Sequence, residues 1–231
     1  MMHNRPKCRR RAWRPLTCLA WLAGGICVLA GLARPASAHP HVFVTAAATV
    51  NIEQGAITSI THVWTFDEFY TAMAVEGMPK NKAGGYDRET LAELAKVNID
   101  GLKEFGYFTF ATLGKTELKV ADPAPGDYWL DYQDGVLALH FKLPLEKPVL
   151  IEAKGFAVSV YDPSFFIAFE LANKDPAKLN DGAPKSCKIE VGVPKDEAED
   201  TKKLTGAFSE QMGGAALGLG VAKSIMVHCT P

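Results

Sequence analysis

The 231-residue chain has five cysteines, one long apolar run, and none of the short signatures of common catalysts. It contains no Gly-x-Ser-x-Gly elbow, no phosphate loop and no His-Glu-x-x-His helix. No serine or cysteine stands in a context that would activate it as a nucleophile. The apolar run, Leu16 to Leu32, lies at the front, and no later stretch is long enough to span a bilayer. Positive charge is scarce after the front as well. Seven of the 25 Lys and Arg residues fall within the first 38 positions, leaving 18 against 26 acids and a net charge of −8 with His neutral. So acidic a chain gains no electrostatic help in binding nucleic acid. Internal repeats and low-complexity segments are absent too.

What is present begins with the leader. Met1 to Arg14 is basic and free of acids, Leu16 to Leu32 is apolar, and Ala36-Ser37-Ala38 has the small-x-small form that signal peptidase cuts. These features predict a cleaved signal peptide over 1–38, export to the periplasm, and no stable membrane insertion after cleavage. Residues 39–231 are expected to form a single periplasmic domain of ordinary size, its tail 195–231 the hardest part to place. Cys8, Cys18 and Cys27 leave with the leader. Cys187 and Cys229 remain and read as one disulfide in an oxidising compartment, with a pair of zinc thiolates as the alternative.

The rest of the chain reads mainly as strands. His41 to Ile52 and Ala56 to Phe66 alternate as a hairpin about Glu53-Gln54-Gly55. Asp67 to Met78 predicts a short helix capped by Asp67, and Asp87 caps a second that runs to about Lys103 with Leu91, Leu94, Ala95, Ile99 and Leu102 on one face. Strands are expected at Tyr107 to Leu113, Glu117 to Val120, Tyr128 to Tyr132, Val136 to Leu143, Val149 to Glu152, Phe156 to Tyr161, Phe165 to Leu171, Cys187 to Val191 and Val221 to Cys229. Asp196 to Gly214 is compatible with a helix. The fold class is α+β: a mainly antiparallel, sandwich-like sheet structure with one or two packed helices.

Chemistry concentrates at the predicted mature start, His39-Pro40-His41. On an extended backbone residues i and i+2 face the same way, so both imidazoles can converge on one ion. Pro40 lacks the amide proton that a square-planar amino-terminal copper or nickel site must lose, which blocks that geometry. The hairpin brings the pair toward Asp67 and Glu68, whose oxygens suit a mixed His/carboxylate site. His62 and Asp162 stand behind these as second-rank ligands. The bland readings compete throughout: a polar chain end, Asp67 as a helix cap, Asp162 bonding nearby amides, His62 as a half-buried strand residue, and His140 as an exposed one. Phe165, Phe166 and Phe169 read as core.

The block His39-Pro40-His41-Val42-Phe43, then Trp64-Thr65-Phe66-Asp67-Glu68 before a helix, then Tyr161-Asp162-Pro163, resembles the domain of unknown function 1007 family. The resemblance implies an exported protein described as the periplasmic component of an uncharacterised ABC-type transport system. Some members are paired with nickel/cobalt-type permeases and linked to zinc uptake. It implies His39 and His41 as metal ligands with Asp67 and Glu68 as helpers. One residue and one loop depart from the family pattern. Thr45 stands where relatives often have an acid, and Lys80 and Lys82 occupy a loop that is calcium-like in many members, so no calcium is expected here. The expected function is a periplasmic zinc-binding protein, with copper or nickel as other metals, that delivers its ion to an inner-membrane permease without bond-making chemistry. The rivals are a copper oxidase with an amino-terminal His clasp, its third imidazole coming from His62 or His140, and an envelope adaptor that needs no metal.

Overall fold

A computed structural model describes residues 41–164, 166–192 and 223–230, all within one compact unit. β1 (Val42–Glu53) alternates buried and open side chains because Val42, Val44, Ala46, Ala48, Val50 and Ile52 share one face at the two-residue period of a strand. Gln54 and Gly55, with φ of 50° and 77°, turn it into β2 (Ala56–Phe66). Left-handed residues at both turn centres match the twist of the hairpin. The register sets Val44 against Phe66, so Asp67 emerges beside Phe43.

Helix α1 (Glu68–Ala74) is shorter than its sequence suggested, and α2 (Arg88–Lys103) has the predicted extent. Leu91, Ala95 and Ile99 of α2 are buried at helical spacing, with Leu94 and Leu102 packed beside them. A strand was expected from Tyr107, but Gly106, Tyr107 and Phe108 form a left-handed turn with φ of 58°, 57° and 46°. The chain extends only at β3 (Thr109–Leu113), followed by β4 (Thr116–Leu118), β5 (Tyr128–Gln133) and β6 (Val136–Leu150). β6 absorbs the separate strand expected at Val149. A register shift against β2 between Ile57 and Ser59 loops out the intervening residues, including Pro148, which has no N–H to give a ladder.

β7 (Phe156–Val160), β8 (Ile167–Leu171), β9 (Ala177–Leu179), β10 (Cys187–Gly192) and β11 (Ser224–Cys229) complete the described strands. The first sheet runs β5-β6-β2-β1-β8, with β9 also on β1; β8 and β9 lie parallel to β1 and the other pairs are antiparallel. The second sheet, β10-β11-β7-β3-β4, is antiparallel throughout. Cys187 faces Cys229 across β10 and β11, and the two are disulfide-bonded.

One face of the first sheet is covered in two ways. Toward the start of β1, Val44, Trp64, Leu139 and Phe141 pack with α2 and the left-handed turn. Toward its end, Val50, Ile52 and Ile60 pack with Phe156, Val158, Ile225 and Val227 of the second sheet. The architecture is the α+β sandwich expected from the sequence. The helix-compatible stretch Asp196 to Gly214 lies outside the described residues, as do Val221 and Phe165.

Candidate functional site

The leading end of β1 is built from backbone pairing. His41 is exposed; its N–H donates to the Phe166 carbonyl at 2.9 Å and its ring lies 4.9 Å from that of Phe166. Asp67 stands on the neighbouring strand end. Its Oδ1 accepts the Tyr70 N–H at 2.8 Å, which caps α1, and its Oδ2 accepts the Phe43 N–H at 2.8 Å, while its own N–H donates to the Phe43 carbonyl at 3.1 Å. The carboxylate is thus both helix cap and clamp on β1. Each oxygen has two lone pairs, so these bonds leave room for a further donor or a cation.

Glu68 turns elsewhere. It lines a cleft of about 410 Å³ between α1, the loop that follows it, and Tyr86 and Tyr132. The structure therefore brings His41 and Asp67 to one end of the sheet and sets Glu68 on the adjoining cleft. His39 lies outside the described residues, and among those described no three His, Cys, Asp or Glu side chains gather closely enough to hold a metal ion.

The second-rank residues do local work. His62 is fully buried rather than half-buried: Phe141 stacks on it at 4.8 Å and the Thr109 hydroxyl meets its Nε2 at 3.3 Å. That burial pushes its pKa down to about 3. Asp162 is the anchor of a turn: it accepts the Ser164 N–H and hydroxyl, both at 2.7 Å, and the Ile167 N–H at 2.9 Å. Burial alone would raise its carboxyl, but these bonds outweigh it and hold the pKa below the ordinary range. Phe166, expected in the core, is 47% exposed beside His41.

The loop with Lys80 and Lys82 is closed by its own asparagine. Asn81 Oδ1 accepts from the Ala83 and Gly85 N–H groups at 3.0 Å each, and Nδ2 donates to Asp87 at 2.8 Å.

A polar stack escaped sequence reading. His140 packs flat on Trp129 at 4.8 Å, Arg88 lies over the same indole at 4.8 Å, and Asp131 accepts from Arg88 and Trp129 while its Oδ2 lies 3.2 Å from His140 Nε2. His140 is therefore part-buried where exposure was expected, and burial lowers its pKa against the pull of Asp131. Its members come from α2, β5 and β6: the β5–β6 register sets Trp129 against His140, and Arg88 reaches Trp129 and Asp131 from α2. His62 lies opposite Ala48, and His140 is on the row of Ala47. Both rows are six or seven residues from His41 along β1, roughly 20 Å at strand rise.

These features define a two-sheet α+β protein whose candidate site is a strand start held by a carboxylate clamp. The chain belongs to the family described as "Protein of unknown function (DUF1007)", whose model matches residues 25–229. It is 25% identical over 193 residues to an uncharacterized protein of Haemophilus influenzae, covering 83% of this chain and 91% of that one. It is also 33% identical over 105 residues to the "Uncharacterized 15.5 kDa protein in trpE 3'region" of Spirochaeta aurantia, covering 44% of this chain and 72% of that one.

Proposed function

We propose that this is a periplasmic metal-binding protein that captures zinc, with copper or nickel as other candidates, and hands it to an inner-membrane permease. The observation that carries the reading is the Asp67 clamp, which anchors a carboxylate at the same strand end as His41. Cleavage after Ala38 would add the imidazole and free amine of His39 to that end. Imidazole and carboxylate oxygens are ordinary zinc ligands, and the acidic chain that remains without the leader favours a cation. Export supports the same assignment, since the leader pattern and the Cys187–Cys229 disulfide both suit an oxidising compartment. The copper-clasp alternative has less support, because His62 and His140 both sit far along the sheet from His41.

The test is zinc calorimetry on processed, metal-stripped protein. Replacing His39→Ala together with His41→Ala is expected to weaken zinc binding at least about tenfold, the loss of roughly 1.4 kcal/mol. Unchanged affinity in the double variant sinks the reading.

A further inference from the structure

Two ring nitrogens are left over from the hydrogen bonding of the core. Nδ1 of His62 and Nε1 of Trp64 have no partner among the described residues, and the side chains are 0% and 1% exposed. Polar atoms so deeply buried are nearly always paired, with protein or with an ordered water. The two residues are two apart on the inner face of β2, their rings 5.9 Å apart and edge-on.

The neighbours decide where the protons are. The Thr109 hydroxyl donates its one proton to the Tyr107 carbonyl at 2.8 Å. Its contact with Nε2 of His62, at 3.3 Å, must then have the imidazole as donor. A neutral imidazole carries one N–H, so Nδ1 is left as a bare lone pair. Burial keeps the ring neutral at ordinary pH. The indole of Trp64 offers the opposite character, since its nitrogen only donates. One acceptor and one donor therefore sit on adjacent rings of a single sealed strand face. That pair is complementary to a molecule that both gives and takes a hydrogen bond, and unsuited to a cation, which the indole N–H would repel.

We propose that the core holds one water molecule between His62 and Trp64, accepting from the indole and donating to Nδ1. It completes a chain from Trp64 through water, His62 and Thr109 to the Tyr107 carbonyl. That carbonyl belongs to the left-handed turn at Gly106, Tyr107 and Phe108, a conformation L side chains avoid. The buried chain gives the turn a polar anchor in the interior. The site lies inside the sheet and is independent of the metal reading.

The dry rival sets the indole N–H on the face of Phe141 or Phe169, whose rings meet Trp64 edge-on at 4.8 Å. Nuclear magnetic resonance on the oxidised, ¹⁵N-labelled wild-type protein separates the two without any variant. The long-range imidazole spectrum should show His62 as the Nε2–H tautomer, unchanged between pH 7.5 and about 5. A rotating-frame Overhauser spectrum should show a dipolar cross-peak from the Trp64 indole proton to water. An Nδ1–H tautomer overturns the proposal. So does an indole proton with no water cross-peak and a ring-current shift upfield.

Discussion

Asp67, directly after β2, ties the first turn of α1 to the start of β1 through one carboxylate. An aspartate cap is favoured because its oxygen satisfies an amide the helix cannot, and here the second oxygen satisfies the Phe43 amide, just past the last β1–β2 pair. Asp67→Ala is expected to lower stability by about 1–2 kcal/mol, read as a fall in the urea midpoint. Asp67→Asn should cost less, because one amide oxygen can still cap the helix. The cap role of Asp67 was visible in its position before Glu68-Phe69-Tyr70; the clamp on Phe43 was not, because it depends on the β1–β2 register. His62 makes the same point. Its place on the face of Trp64 and Phe66 follows from strand alternation, but its complete burial follows from Phe141 and Thr109, which approach from elsewhere in the chain.

At the scale of elements, period and punctuation carried most of the reading. The two-residue alternation of β1 and β2, the helical spacing of α2 and the Asp134-Gly135 turn between β5 and β6 are local patterns, and each became the element it announces. Pro144 and Pro148 interrupt the strand pattern locally, yet β6 runs on past them because the register shift against β2 accommodates the break. β9 went unnoticed because three residues are too few to show a period. The β10–β11 pair is short, lies at the margin of the second sheet and is stapled by its disulfide. With a sequence separation of 42, that bond is worth up to about 4 kcal/mol in the chain-entropy model. Cys187→Ser with Cys229→Ser, or reduction of the wild type, should lower the urea midpoint accordingly; an unchanged midpoint would mean the hairpin holds without it.

For the molecule as a whole, the buried polar groups set the response to acid. The folded pKa of His62 is about 3 against 6.5 when unfolded, so between those values the unfolded chain binds a proton that the folded one does not. Stability from this group is therefore complete above about pH 6.5 and lost progressively as pH falls toward 3. Asp162, held below the ordinary carboxyl range by its amide and hydroxyl donors, adds a loss of the same sign as pH falls toward its folded value. From pH 6.5 to 4 the His62 share is roughly 3 kcal/mol. Urea unfolding across that interval should show the decline, and His62→Phe, which keeps a ring against Phe141, should flatten it. A slope identical in the variant would place the proton uptake elsewhere.

Alternation and spacing in the sequence determined which residues turn inward, where the helices begin and that the chain is α+β, because those properties depend on near neighbours. The tertiary structure decided that β8 and β9 run parallel to β1, that the second sheet covers only part of the first, that His62 is sealed and that Arg88, Trp129, Asp131 and His140 form one stack. A strand's period specifies its faces but not its neighbours. Those come from contacts between distant segments, which no local pattern records.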